Sequence, residues 1–195
     1  MSGNTTVRVE VWPVSADTEG LWLLSGMDAW RSEPVQQASD PHSTVESLLE
    51  EHSILSDVKL LHSTSWRVKA LTSTSWRAED ESVILTYVGV IGCDDFVRTD
   101  WPNATPITRE VTAAVGKTIA VEATQAPFPR YIDVLLHGLR HLHFLLYTDS
   151  SARAALCDKW KKHLATLEPA LAGMYDHDHN ESPIILPNAS SLQQQ

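Results

Sequence analysis

LLHSTSWRVKALTSTSWRAEDESVILTYVGV, residues 60–90, carries the phrase Ser-Thr-Ser-Trp-Arg twice, at 63–67 and at 73–77. Repeat architectures run at periods of about 20–50 residues and need at least three copies, so one recurrence ten residues on does not build a solenoid. The stretch reads as sheet. Val58–Trp66, roughly Lys69–Trp76 and Val83–Ile91 form three extended runs, the last rich in β-branched and aromatic residues, and together they predict an antiparallel meander. In a strand Trp66 faces opposite to Ser65 and Arg67, and Trp76 repeats the arrangement. Paired tryptophans on adjacent strands are ordinary sheet stabilisers, and the other use of such a surface is a Trp66/Arg67 platform for a ligand.

Outward from the meander, Val7, Val9 and Val11 alternate with Arg8, Glu10 and Trp12, which predicts a half-buried strand closed by Pro13. Leu21–Leu24 predicts a second, more buried strand. Residues 28–42 read as a long loop, and Ser43-Thr44-Val45-Glu46 as a capping box opening a helix that runs to about His52. Beyond the meander, 93–130 shows little periodicity and four prolines; a short helix near Arg109–Val115 and a strand near Thr118–Glu122 are expected there. From Tyr131 the pattern is helical, with Ile132, Leu135, Leu136, Leu139, Leu142 and Leu146 on one face. A further helix is expected over Ser151–Leu167, with Leu156, Trp160, Leu164 and Leu167 buried and Pro169 as its stop.

The 195 residues, 43% hydrophobic and 21% charged, suit one globular domain, read here as 1–174 with a flexible tail over 175–195. A net charge of −10 disfavours binding to nucleic acid through phosphate neutralisation, and a cation-assisted site suits it better. No apolar stretch approaches the roughly 20 residues of a membrane span and no signal peptide is evident, so a cytoplasmic setting without membrane contact is expected. Cys93 and Cys157, far apart and outside any CxxC spacing, read as buried thiols. His137 and His141 are four apart on the long helix, as two metal ligands would be, yet both read as surface histidines with His143 nearer the core. Asp176-His177-Asp178-His179 reads as a loose chelator in the tail. There is no Gly-x-Ser-x-Gly elbow, and no glycine-rich phosphate loop.

The order of strand, "WLLSGM", loop, "VESLLEEHSI" and meander resembles the Nudix hydrolase family, whose pattern is Gly-x5-Glu-x7-Arg-Glu-U-x-Glu-Glu-x-Gly-U with U apolar. Glu46 takes the Arg place, Ser47 the first Glu, Leu48 the apolar one, Glu50 and Glu51 the acidic pair, Ser53 the Gly and Ile54 the last apolar one. Met27 falls where the first Gly belongs and Glu33 falls six residues later, after which about five extra residues precede the helix. The resemblance covers roughly 5–167 as a fold and 22–54 as a motif. It implies an α/β (α+β) fold, a mixed sheet with an antiparallel meander sandwiched by helices.

It also implies a magnesium or manganese site at Glu50 and Glu51, since magnesium takes carboxylate oxygens and shares its shell with substrate phosphates. Glu46 is the replacement ligand nearest in the helix, with Glu33 and Asp40 as others near in sequence. The expected activity is a slow metal-dependent hydrolysis of a nucleoside-diphosphate-linked compound, with Glu50 and Glu51 in the catalytic role. Loss of the motif's Arg and first Glu leaves a second expectation: a catalytically inactive module binding a nucleotide-like small molecule or a protein partner, through Trp66 and Arg67. A homodimer is an open alternative for the apolar stripe on 132–146.

Overall fold

The computed structural model describes residues 6–26, 28–35, 40–69, 82–93, 97–108 and 131–171, leaving aside the side chains of 65–69, 82, 98 and 131–133. The chain is an α+β protein built on one mixed sheet. In chain order the elements are β1 (Thr6–Ala16), β2 (Leu21–Leu23), β3 (Trp30–Arg31), α1 (Pro41–Glu51), a 3-10 turn (Leu55–Asp57), β4 (Val58–Lys69) and β5 (Ser82–Ile91). Then come α2 (Val97–Asp100), β6 (Thr105–Pro106), α3 (Tyr131–Thr148), α4 (Ser150–Ala155) and α5 (Asp158–Leu164). The sheet order is β4-β5-β1-β2-β6, with β3 also pairing β1.

β1 and β5 pair in parallel from Thr6↔Ser82 to Val14↔Val90, while β4 lies antiparallel on the outer side of β5. The second run of the expected meander, the helix near 109–115, the strand near 118–122 and the tail fall outside the described residues. Pro13 does not close β1. The strand continues to Ala16, and Pro13 stands where β1 passes from β3 to β2 as its antiparallel neighbour. The expected loop 28–42 is partly sheet, for Trp30–Arg31 joins β1 and Val35 bridges Val7.

Strand alternation sorts β1 between two cores. Val9 and Val11 pack with Val45, Leu48 and Leu49 of α1 on one face; Trp12, Val14 and Ala16 pack with Leu135, Leu139 and Leu142 of α3 on the other. The stripe of α3 is therefore consumed by the sheet, and α5 adds Trp160 and Leu164 to the same core. Where one helix was expected over 151–167 there are two, because Leu156 and Cys157 are extended (ψ 120° and 170°). The stripe survives the break, since Leu156, Trp160 and Leu164 are all buried.

α1 starts two residues before the expected capping box. The Asp40 carboxylate accepts from the His42 and Ser43 amides and Pro41 sits in the first turn, so Ser43 and Thr44 turn their hydroxyls to the Asp40 carbonyl instead. The helix ends in a Schellman turn: Ile54 N donates to Leu49 O, Ser53 N to Glu50 O, and Ser53 is left-handed at φ 60°. A side chain in that conformation costs about 1–2 kcal/mol, so Ser53→Gly is expected to raise stability by about 1 kcal/mol in urea unfolding. No gain would show that the Ser53 backbone is not strained.

The closest approach of α3 to the sheet occurs at Gly138, where a Cβ would lie 2.7 Å from Val88 Cγ2 and 3.3 Å from the Thr64 side chain. Helix propensity alone favours alanine there by about 1 kcal/mol. Overpacking costs about 1–3 kcal/mol and wins, so Gly138→Ala should lower the unfolding midpoint. A raised midpoint would mean that α3 lifts from the sheet without strain.

Candidate ligand-binding site

Parallel pairing sets the carboxyl ends of β1 and β5 side by side, and ligands of open sheets with helices on both faces gather outside such ends. There the strands part. β1 turns back into β2 through Asp17–Gly20, where the Asp17 carboxylate accepts from the Glu19 and Gly20 amides; β5 runs on through Gly92 and Cys93. The parting leaves a cleft of about 540 Å³, lined by Ser15, Asp57, Lys59, Ile91, Gly92, Cys93, Val97, Asp100 and Trp101. That volume is in the range of small-molecule sites, about 300–1,000 Å³.

Its floor is fixed by hydrogen bonds between elements. The Ser15 hydroxyl donates to Gly92 O at 2.8 Å, Gly92 N to Asp57 O at 3.1 Å, and the Trp160 indole to Ile91 O at 3.2 Å. A Cβ at Gly92 would approach Lys59 Cε to 3.3 Å, so glycine lets β4 close on the floor. The rim carries Asp57 at the end of the 3-10 turn, Lys59 on β4 and Asp100 at the end of α2. Trp101 follows Asp100 and stands 6.5 Å from Trp30, whose ring stacks on His52 at 3.7 Å and 10°. The aromatic wall therefore continues to the C-cap of α1.

A disulfide between Cys93 and Cys157, with Cα atoms 6.8 Å apart, ties the wall of the cleft to the start of α5. This corrects the expectation of two buried thiols. Their separation of 64 residues gives no local spacing to read, and only the sheet order brings them together. A second cleft, about 420 Å³, lies between the β2–β6 edge and α5 and is mainly apolar.

The expected metal ligands sit elsewhere. Glu46, Glu50 and Glu51 are exposed on α1, and Glu46 Oε1 lies 3.6 Å from His42 Nε2. Consecutive positions on a helix diverge by about 100°, so Glu50 and Glu51 do not converge on one ion, whereas Glu46 and Glu50, four apart, share a face. Among the described residues no group of three His, Cys, Asp or Glu is gathered as a metal site requires. Glu33 is exposed and Asp40 serves as the helix cap. Trp66 and Arg67 pair in register with Leu85 and Ile84, and their side chains are outside the description.

Two sets of polar residues went unread in the sequence. Glu10 is fully buried on the α3 face of β1; its carboxylate accepts from Thr86 Oγ1 at 2.8 Å and Trp12 Nε1 at 3.4 Å, and pairs with Arg31 at 3.4 Å. Arg31 is held in turn by Asp28. This network is a structural lock, since a buried carboxylate persists only when charge and donors surround it. His141 and His143 are both buried, against the expectation that His141 faces solvent. The strand position of His62, opposite His141, is the signal that would have found this cluster.

No protein-family model matches the chain, and no curated protein matches it. Among the described residues no helix is long and apolar enough to cross a membrane.

Closing a loop of this length removes chain entropy worth about 4 kcal/mol from the unfolded state. Cys93→Ser with Cys157→Ser is expected to lose that much in urea unfolding, and wild type in dithiothreitol should match it. A loss below about 1 kcal/mol would show that the bridge does not hold the cleft wall.

Proposed function

We propose that this chain is a non-catalytic binding module whose ligand, a nucleotide-like small molecule, occupies the cleft at the carboxyl ends of β1 and β5. One observation carries the proposal: the cleft combines an indole wall at Trp101 with a cation at Lys59, over a floor held by the Ser15–Gly92–Asp57 hydrogen bonds. A base stacks on Trp101 and a phosphate meets Lys59; Asp57 and Asp100 accept from ribose or amino groups. We place this work in an oxidising compartment, where a disulfide such as Cys93–Cys157 persists, instead of the cytoplasmic setting expected from the sequence.

A second reading, the diverged Nudix-type hydrolase, has its own support. Ser53 is left-handed at the position the resemblance gives to glycine, and the stack of His52 on Trp30, whose ring in turn lies beside Trp101, brings the end of α1 that carries Glu50 and Glu51 to the same end of the sheet as the cleft. On that reading Glu46 and Glu50, which share a face of α1, would hold magnesium or manganese for a diphosphate, with Glu51 beside them on the helix.

Calorimetry with ADP, with and without magnesium, separates the two. Saturable binding without turnover is expected, weakened about fivefold or more by Trp101→Ala, since stacking on an aromatic ring is worth about 1–3 kcal/mol, and kept by Glu50→Gln/Glu51→Gln. Magnesium-dependent phosphate release lost in Glu50→Gln/Glu51→Gln would establish the hydrolase instead. Absence of binding at millimolar ADP would refute a nucleotide site.

A further inference from the structure

Two histidines meet between β4 and α3, and a third, His143 of α3, joins one of them in holding the segment Leu167–Ala170. His62 of β4 stacks on His141 of α3 with ring centroids 5.0 Å apart and planes at 25°. His141 Nδ1 donates to Ala170 O at 3.1 Å, and His143 Nδ1 to Leu167 O at 2.7 Å. Arg140 finishes the strap: its Nε donates to Glu168 O at 2.8 Å and its carbonyl accepts from Ala170 N at 3.2 Å. Residues 167–170 are thus pinned to α3 by two imidazoles and by Arg140.

Each ring suits the neutral form. With Nδ1–H given to a carbonyl, His143 keeps a lone pair on Nε2, which accepts from the Tyr147 hydroxyl at 3.4 Å. His62 Nε2 is buried and has no hydrogen-bond partner among the described residues, a tolerable place for a lone pair and a poor one for a charged N–H. Protonation would therefore bury an unsatisfied donor at His62, set two like charges 5.0 Å apart, and remove the acceptor of Tyr147.

We propose that the His62–His141 pair is a pH-operated clamp: protonating it forces the rings apart and releases the strap Leu167–Ala170 from α3. Burial lowers the affinity of His62 for a proton first, His141 adds to the lowering, and Asp149 at the start of α4 opposes it. Burial likewise lowers His141 and His143, against the carbonyls of Ala170 and Leu167. Among the described residues the other charged or titratable neighbours are His137 one turn before His141, Arg140, Tyr147 and Glu168. Lowered values mean that the strapped state is favoured fully above the ordinary histidine range, about 6.5, and loses ground as pH falls below it, because the released state takes up the protons.

The test is hydrogen exchange on the full chain at pH 7.5 and 5.5, corrected for intrinsic rates, with the Ala170 amide as reporter. Each linked proton gives at most about tenfold in the opening equilibrium per pH unit, so a selective loss of Ala170 protection of about tenfold or more is expected, with β1 and β5 amides unchanged. In His62→Phe, which keeps an aromatic ring without the charge, the acid response should shrink; His62→Gln serves if that variant does not fold. Protection independent of pH, an acid loss equal in wild type and variant, or a loss shared by the whole sheet would each overturn the clamp.

Discussion

The parallel pairing of β1 with β5 is the constraint on which the rest of the structure depends. Parallel neighbours cannot be joined by a hairpin, so the chain must cross over, and it does so through α1 and β4. α1 covers one face of the pair during that crossing, and the other face is left for α3 and α5. A central strand pair covered on both sides can be apolar on both sides, as Val9 and Val11 against α1 and Trp12 and Val14 against α3 show. The same pairing sets two carboxyl ends together and makes the cleft a consequence of topology.

Burial on both faces makes every polar group between the layers expensive, and the chain meets that cost in two ways. Glu10 collects a hydroxyl, an indole N–H and a guanidinium around one carboxylate. His141 and His143 take the other course and suit the neutral form, each turning Nδ1–H to a carbonyl of the strap. The first arrangement surrounds a carboxylate with fixed donors, whereas the second leaves an imidazole nitrogen of His62 without a hydrogen-bond partner among the described residues. The contrast locates rigidity at the β1–β3 junction and responsiveness at the strap.

What was legible in the sequence follows the range of the interactions concerned. Period-2 alternation in β1 and the leucine stripe of α3 are local signals, and both elements are present. β5 was also legible as an extended run, but nothing local says that its partner is β1 or that the pair is parallel. Ser15, Asp57, Lys59, Gly92 and Trp101 meet only once the sheet is ordered, so the cleft has no contiguous motif. The Cys93–Cys157 bridge was hidden for the same reason. At α1 the error was local: Asp40 with Pro41 is a stronger start than Ser43, because a carboxylate accepts two amides and proline already has helical φ.

The tie between cleft and clamp runs through the second half of the chain. Cys157 is bonded to the cleft wall, α5 follows it directly, and its indole at Trp160 holds Ile91 at the cleft floor. From α5 the chain passes in three residues to Leu167, the first residue of the strap, while His163 of the same helix donates to the Asp17 carbonyl beyond the end of β1. α5 therefore stands between the two, anchored to the cleft by a covalent bond and two ring hydrogen bonds, and to α3 by the strap that follows it. The cleft-side anchors thus include a bond that acid does not touch, whereas hydrogen bonds and one ion pair hold the strap to α3.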